Sequence, residues 1–314
     1  MRAVTIVAGE LRWDEHPDPV PGAGELLVEV EAAGLNNADL LQRIGLYPPP
    51  PGYPAEIPGM ELAGRVVATS AKTTRFSPGD RVMAVVGGGA QAELALVDED
   101  AALAVPDGIA WDEAGGFPEA YETAHDALFT QCRVSVGDRV LVTGAAGGVG
   151  SAAVQLAAAA GARVVASVRR PELRDAVMAL GAHHAAGPDE AFGLGPFDVV
   201  LELVGGVSFG ASLGALATGG RISVIGVGAG PRTEIDLLAL MHRRARVSGS
   251  TLRARPRAQK AAVAAAVESH VVPLLAAGRV RVPLSATFPM ARAADAYERF
   301  AAPGKLGKIV LLRR

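Results

Sequence analysis

Hydrophobic and polar positions follow one pattern in the first third of the chain. Short apolar runs there alternate with the turn segments VPGAGE and FSPGD. Residues 38–44 predict a short helix. Four of the apolar runs predict strands: ELLVEVEAAG, ELAGRVVAT, DRVMAVV and AELALVD. We therefore expect a β-rich domain.

From about Val136 the pattern changes to strands that alternate with helices. The strand DRVLVTG is followed by a glycine-containing turn and an alanine-rich helix, and further strands follow at ARVVASV, FDVVLELVGG and GRISVIGVG. This spacing predicts a parallel sheet of right-handed βαβ units. A long helix pattern at 258–278 then leads back to short strands. Because the end of the chain resembles its beginning, we expect the α/β domain to be inserted into the β-rich one.

Composition narrows the class of protein. At 314 residues and 50% hydrophobic content, two domains with separate cores are expected. The 30 basic and 33 acidic residues nearly balance, which argues against a nucleic-acid or membrane surface. The single cysteine, Cys132, forms neither an internal disulfide nor a cysteine-rich zinc site. With no run long enough to span a bilayer and no signal-peptide pattern, we expect a soluble, cytoplasmic protein.

The turn after DRVLVTG carries a dinucleotide-binding fingerprint with alanine at its first position. Its glycines would let the backbone approach a pyrophosphate and let the helix pack close to the strand, while the helix N-terminus offers unpaired N–H groups. A tight turn without a ligand is the alternative. The predicted cofactor-binding residues of this turn are Ala145, Ala146, Gly147, Gly148, Val149 and Gly150.

The end of the next strand favours NADPH over NADH. An NAD site places Asp or Glu there to bind the ribose 2′-hydroxyl. This chain instead has Ser167, Arg169 and Arg170, with no acid until Glu172. A serine hydroxyl and two guanidinium groups suit a 2′-phosphate. Two solvated arginines at a helix start are the alternative.

Together these motifs resemble the medium-chain dehydrogenase/reductase superfamily, in particular its zinc-free quinone oxidoreductase branch. The similarity covers essentially the whole chain and looks greatest to the p53-inducible quinone oxidoreductase group. It implies an α/β fold class: a GroES-like β-rich catalytic domain, 1–116 and 257–314, with an inserted Rossmann domain of doubly wound parallel sheet, 117–256. The matching stretches include GLNNADLLQRIGLYPPPPGYP, IPGMELAGRV, GDRVLVTGAAGGVGSAAVQLA, FPEAYETAHDAL, GSTLRARP and LGKIVL.

The resemblance also shows which zinc ligands are replaced. Zinc-bearing members have cysteine at the position of Asn36, histidine at that of Met60 and a further thiolate at that of Glu119. Asn36 is a poor zinc ligand and the Met60 thioether suits copper, so we expect no metal. Donors must then polarise the acceptor carbonyl, and the resemblance implies Asn36 and Tyr47 for this role. The alternatives are a helix-capping Asn36 and a Tyr47 ring that covers core.

Further cofactor contacts are implied by matching motifs rather than by spacing. Thr123 resembles a threonine that packs on the nicotinamide, and Thr251 and Leu252 resemble backbone that reads its carboxamide. Lys308 matches a basic residue that reaches the pyrophosphate, with a solvated charge as the alternative. Val204, Gly205 and Gly226 follow parallel strands, where such sheets bind ligands. Glu202 replaces the family's usual aspartate.

The function expected from this resemblance is zinc-independent, NADPH-dependent reduction of quinones or related conjugated carbonyls. One alternative is an alkenal or enoyl double-bond reductase. Another class is a non-enzymatic RNA-binding or structural protein regulated by NADPH, which the near-neutral charge and the 4% aromatic content disfavour. A zinc alcohol dehydrogenase is disfavoured by the ligand replacements. We also expect a homodimer that pairs the edge strand RARVSGS with its counterpart.

Overall fold

The computed structural model describes residues 1–70 and 72–314, which form two compact units. The first unit comprises Met1–Glu122 and Leu252–Arg314, and the second comprises Thr123–Thr251. The second unit is thus inserted into the first. The joins lie at 122/123 and 251/252, where the sequence predicted 116/117 and 256/257.

In the N-terminal part, residues 1–70 and 72–125 form seven strands and three helices. The strands are β1 (Arg2–Val7), β2 (Glu10–Glu15), β3 (Glu25–Gly34), β4 (Glu61–Thr69), β5 (Arg81–Val85), β6 (Leu94–Asp98) and β7 (Ala102–Ala104). The helices are α1 (Asn37–Arg43), α2 (Trp111–Gly115) and α3 (Pro118–His125), and a 3-10 turn spans Glu99–Ala101.

The middle of the chain alternates strands with helices, as the pattern predicts. A π-helical segment, Asp126–Gln131, precedes it. The strands are β8 (Arg139–Val142), β9 (Arg163–Ser167), β10 (His184–Ala186), β11 (Phe197–Glu202), β12 (Leu216–Val224) and β13 (Arg246–Gly249). The helices are α4 (Gly148–Ala159), α5 (Arg174–Met178), α6 (Pro188–Gly193), α7 (Ser208–Gly214) and α8 (Leu237–Arg243), with a 3-10 turn at Pro171–Leu173.

The C-terminal part returns to the first unit. It contains α9 (Arg257–His270), α10 (Val272–Ala276), β14 (Leu284–Pro289), a 3-10 turn at Met290–Arg292, α11 (Ala293–Ala301) and β15 (Lys308–Leu312). The sequence predicted one long helix at 258–278. Instead the chain breaks at Val271, because Pro273 lacks an N–H and its ring disfavours continuing the preceding helix.

In the main sheet of the first unit, the end of one strand lies between the starts of two others. Its order is β14-β15-β3-β4-β5-β7, and β6 also pairs with β3. Both β4 and β15 run antiparallel to β3. Their first residues, Glu61 and Lys308, therefore lie beside the last residues of β3. Leu26, Val28 and Val30 of β3 are each 0% exposed and belong to the hydrophobic core of the first unit.

The second unit is a doubly wound parallel sheet. Its strand order is β10-β9-β8-β11-β12-β13, and every pairing is parallel. The order reverses at β8, and ligands bind outside the carboxyl ends of strands at such a switch point. The turn after β8 is the predicted dinucleotide turn. No helix among residues 1–70 and 72–314 is long and apolar enough to cross a membrane.

Candidate active site

Asn36 lies where β3 ends and α1 begins. It is the N-cap of α1, with an extended backbone at φ −131° and ψ 156°. Its N–H donates to Oδ2 of Asp39 at 2.8 Å, and its carbonyl oxygen accepts from the Asp39 N–H at 3.0 Å. These reciprocal bonds fix the backbone of Asn36 at the helix start. The capping role weighed for Asn36 is therefore present, and its side chain is used elsewhere.

The side chain of Asn36 lies between two opposite charges. Its Nδ2 donates to Oε1 of Glu61 at 2.9 Å, and its Oδ1 accepts from Nζ of Lys308 at 2.6 Å. Nζ of Lys308 also lies 2.5 Å from Oε1 of Glu61. Exposure is 7% for Asn36, 0% for Glu61 and 2% for Lys308. We call these three residues the Asn36 cluster. Its hydrogen bonds offset the cost of removing two charges from water.

Lys308 occupies a different place from the one expected. Besides Asn36 and Glu61, its ammonium donates to the carbonyl oxygen of Leu35 at 2.9 Å. Three acceptors therefore match the three hydrogens of the ammonium. The expectation that Lys308 reaches a pyrophosphate disagrees with this geometry, because no hydrogen is left for a phosphate. The alternative of a solvated charge disagrees as well, since the residue is buried.

Asp39 is a buried acid that is hydrogen-bonded to the backbone of Asn36. It is 0% exposed, and its Oδ1 accepts from the N–H of Gly59 at 3.2 Å. Burial raises the pKa of Asp39 from 3.8 to about 6, opposed by the Asn36 N–H bond and by the charge of Lys308. This carboxyl group thus links α1 to the loop before β4.

Tyr47 lies in the proline-rich loop after α1 and is half-buried. Its carbonyl oxygen accepts from Nη1 of Arg253 at 3.0 Å, and the guanidinium carbon lies 5.2 Å from the centre of its ring. Arg253 also donates to Oε1 of Gln42 at 2.5 Å and to the carbonyl oxygen of Gly87 at 2.7 Å. Asn36 thus directly precedes α1 and Tyr47 follows it in the chain, and both residues belong to the first unit.

Sequence reasoning missed Arg253. It directly follows Thr251 and Leu252 in the stretch GSTLRARP, so the signal was available. The side chain is only 3% exposed. A buried arginine whose guanidinium has three hydrogen-bond acceptors and contacts an aromatic ring stabilises the segments that it joins.

The predicted dinucleotide turn joins β8 to α4. Gly147 is the N-cap of α4, and the first bond of the helix runs from the Ser151 N–H to the Gly147 carbonyl oxygen at 2.8 Å. The N–H groups of the preceding first-turn residues have no acceptor within the helix. These N–H groups belong to Gly148, Val149 and Gly150. They point away from the N-terminus of α4, where the helix dipole favours an anion.

The two outer glycines of the turn have different surroundings. A Cβ on Gly150 would lie 2.4 Å from the carbonyl oxygen of Gly144 and 2.7 Å from Cα of Ala145, so only glycine lets the helix pack here. A Cβ on Gly147 would meet only that same oxygen, at an ordinary 3.4 Å. The side of Gly147 is therefore open. This arrangement fits a dinucleotide pyrophosphate.

The end of β9 carries the predicted phosphate-binding residues. Ser167 ends the strand, and its carbonyl oxygen accepts from the N–H of Ala145 at 3.2 Å, which places it beside the glycine turn. Arg169 is exposed, whereas Arg170 forms an ion pair with Glu172 at 2.9 Å. Of the two guanidinium groups, that of Arg169 is thus more available to bind a phosphate.

Two protein families match this chain, and together they include residues of both units. The family described as alcohol dehydrogenase GroES-like domain matches residues 22–107, and that described as zinc-binding dehydrogenase matches residues 148–268. A quinone oxidoreductase of Lama guanicoe is 30% identical over 306 residues, which cover 94% of this chain and 90% of the relative. The chain belongs to the medium-chain dehydrogenase/reductase superfamily. It is an oxidoreductase.

Two solved structures extend the likeness to the whole fold. A mycobacterial quinone oxidoreductase has a TM-score of 0.85 at 28% identity and covers 99% of each chain. A mycobacterial protein complexed with NADPH has a TM-score of 0.88 at 27% identity, covering 99% of this chain and 100% of the other.

The family implies a zinc ion, but the residues present in this oxidoreductase do not fit one. Oδ1 of Asn36 already accepts from an ammonium group, so a second cation there would be repelled. Met60 offers a buried thioether, which is a soft ligand, and only the Glu119 carboxylate suits zinc. Among the residues the structure describes, no group of three His, Cys, Asp or Glu side chains could hold a metal.

Glu202 organises the loop that holds two predicted cofactor residues. This fully buried carboxylate accepts from the N–H groups of Val204 at 2.8 Å and Gly205 at 2.9 Å. Hydroxyl groups of Thr143, Ser208 and Ser212 also donate to it, at 3.0, 3.1 and 2.5 Å. Five such donors stabilise a carboxylate without a cation. From the sequence, Glu202 was expected only to replace the family's usual aspartate, whereas the structure shows that it positions the loop of Val204 and Gly205.

The remaining predicted residues fall in several places. Gly226 packs against β11's end, since a Cβ there would lie 2.4 Å from the Leu203 carbonyl oxygen. Thr123 is 8% exposed and lies on α3. Thr251 is exposed and ends the second unit, while Leu252, 8% exposed, begins the return to the first.

Proposed function

We propose that this oxidoreductase reduces quinones or related conjugated carbonyls with NADPH and without a catalytic metal. The Asn36 cluster is the observation that carries the proposal. It holds a neutral amide, fixed by two buried charges, at the position where zinc-bearing members have a ligand. Quinone oxidoreductase relatives and an NADPH-bound structural neighbour support the same reaction class.

NADPH, when bound, supplies the hydride, and the second unit holds it. The N–H groups at the start of α4 bind the pyrophosphate, and Ser167, Arg169 and Arg170 bind the 2′-phosphate. Val204, Gly205 and Gly226 line the nicotinamide side at the carboxyl ends of β11 and β12. Thr123 and Thr251, at the two ends of the second unit, complete this side, and Leu252 directly follows Thr251 in the chain. Lys308 has no part in holding the cofactor.

The first unit supplies the hydrogen-bond donors for the acceptor. The Asn36 amide has one Nδ2 hydrogen beyond the one given to Glu61. The Tyr47 hydroxyl makes no hydrogen bond within residues 1–70 and 72–314. An amide N–H and a phenol O–H are both hydrogen-bond donors, so both groups stabilise negative charge that develops on a carbonyl oxygen.

A screen of acceptors tests this function. Purified protein is mixed with NADPH or NADH and with quinones, enones, alkenals and an enoyl thioester, and the loss of reduced-nicotinamide absorbance is followed. We expect turnover with at least one quinone or conjugated carbonyl, faster with NADPH. Absence of turnover with every acceptor, despite measured NADPH binding, would contradict the proposal.

We further propose a homodimer through β13. Among the residues that the structure describes, this strand ends the parallel sheet, so one of its edges carries unpaired backbone groups. Leu237, Leu238 and Met241 on α8, which precedes β13 in the chain and packs against β12, are 66%, 63% and 68% exposed, and Val247 on β13 is 43% exposed. Exposed apolar side chains beside an open edge are typical of a subunit interface. Light scattering on the purified protein should give twice the chain mass, and Val247→Lys should halve it.

A further inference from the structure

We propose that Lys308 and Glu61 are positioning residues that hold the Asn36 amide in one orientation, with its N–H₂ group as the donor to the acceptor. The catalytic part of this inference rests on the proposed function. The structural part does not, because it concerns only three side chains of the first unit.

The orientation follows from the charges on either side of the amide. Oδ1 and Nδ2 of asparagine are nearly equal in size, so packing alone does not distinguish the two orientations. As found, Oδ1 faces the ammonium at 2.6 Å and Nδ2 faces the carboxylate at 2.9 Å. A flip would place N–H₂ against the ammonium and the carbonyl oxygen against the carboxylate. Both contacts would become repulsive, so the ion pair fixes which end donates.

The same charges strengthen the donor. Hydrogen bonds to ionised groups are about twice as strong as neutral ones, and bonds in a chain polarise one another. The ammonium of Lys308 pulls electron density towards Oδ1 and so makes the Nδ2 hydrogens more positive. Lys308 itself cannot turn away, since its remaining hydrogens are bound by Glu61 and Leu35. A fixed internal cation thus acts on the acceptor through the amide.

The chain offers an unusually clean probe of this arrangement. Asn36 and Asn37 are its only two asparagines, and Asn37 is exposed. Selective ¹⁵N-asparagine labelling therefore gives two side-chain amide signals, which Asn37→Ser assigns. We expect the Asn36 hydrogens to exchange with solvent at least ten-fold more slowly than those of Asn37, with well separated proton shifts because one is bonded to a carboxylate.

The informative variant changes both charges together. Lys308→Met alone would leave the Glu61 carboxylate buried without a counter-charge. The pair Lys308→Met/Glu61→Gln is neutral and close in volume, and circular dichroism checks its fold. In this variant the separation of the Asn36 proton shifts should collapse and exchange should become faster. An Asn36 signal identical in the wild type and the folded pair would overturn the proposal.

Kinetics test the link to catalysis. With a quinone and saturating NADPH, the pair should lower kcat on the order of 10-fold to 100-fold, below the full loss of one oxyanion donor. In an Asn36→Ala background it should lower kcat by no more than about two-fold, because residues that act through one group are non-additive. An equal loss in both backgrounds, or a weaker NADPH Kd that accounts for it, would overturn the positioning role. If the wild type reduced no acceptor, the proposed function would fail while the labelling experiment still decided the orientation.

Discussion

Arg253 and Tyr47 are joined twice: the guanidinium lies 5.2 Å from the centre of the tyrosine ring, and its Nη1 donates to the tyrosine carbonyl oxygen at 3.0 Å. Contacts with Gln42 and Gly87 complete the set. One buried guanidinium therefore connects α1, the loop of Tyr47 and the loop after β5. The position of the Tyr47 ring depends on a residue 206 positions away in the chain.

Replacing this arginine should be costly. Arg253→Met leaves three acceptors without a donor, two of them on buried residues, which should lower the free energy of unfolding by about 2–4 kcal/mol. The KM for the acceptor should also rise, since the loop of Tyr47 loses its contacts with the guanidinium group. Urea unfolding and steady-state kinetics measure both. The exposed Arg279 gives the matched control, Arg279→Met, and an Arg253 variant as stable as this control would contradict the assigned role.

The two outer glycines of the dinucleotide turn should respond differently to the same change. Gly150→Ala places a Cβ 2.4 Å from a carbonyl oxygen, and such overpacking should lower the free energy of unfolding by about 1–3 kcal/mol. Gly147→Ala meets only a 3.4 Å contact at φ −75°, so stability should hold. Its methyl group would instead occupy the space for the pyrophosphate and weaken NADPH binding about ten-fold or more. Calorimetry and unfolding curves separate these effects, and equal behaviour of the two variants would contradict the assignment.

Arg169 should determine the preference for the phosphorylated cofactor. Within residues 1–70 and 72–314 its exposed side chain has no ion-pair partner like that of Arg170, and a charge-assisted bond contributes about 1.5–3 kcal/mol. Arg169→Ala should therefore weaken NADPH binding about ten-fold or more and leave NADH binding unchanged. Arg163→Ala, an exposed arginine at the other end of β9, serves as control. Equal affinities of wild type and variant for NADPH would exclude this role.

Asp39 should make stability depend on pH in an unusual direction. Burial raises its pKa from 3.8 to about 6, so the folded state binds a proton that the unfolded state has already lost. The stabilisation is complete below pH 3.8 and is lost as pH rises through 6. Relative to Asp39→Asn, the wild type should lose about 2 kcal/mol between pH 4.5 and pH 7. Urea unfolding at both pH values measures this, and a constant difference between the proteins would show an ordinary pKa.

Local elements were predictable where one face of the segment is buried. The strands β3 and β4 were predicted with the bounds that the structure gives, because buried and partly exposed positions alternate clearly in β3. The hairpin partner β2 was not predicted, since none of its six residues is buried and the sequence pattern is weak there. The prediction of one long helix at 258–278 was wrong, because the apolar pattern continues through Pro273 although the helix breaks before it.

The site was predictable only in part, for a topological reason. Asn36 and the turn at 145–150 were predicted from motifs that are local in sequence. The partners of Asn36 were not, because Glu61 lies 25 and Lys308 272 positions away, and β15 brings the latter to β3. For the same reason Lys308 was expected at a phosphate, and the structure places it in a buried ion pair.

The most direct test of the account is the kcat of Tyr47→Phe/Asn36→Ala with a quinone at saturating NADPH, compared with that of the wild type. If these two side-chain donors take the place of a metal in stabilising the reduced acceptor, kcat should fall roughly 10²-fold to 10³-fold while the Kd for NADPH stays unchanged. Wild-type turnover in the folded double variant would contradict the account.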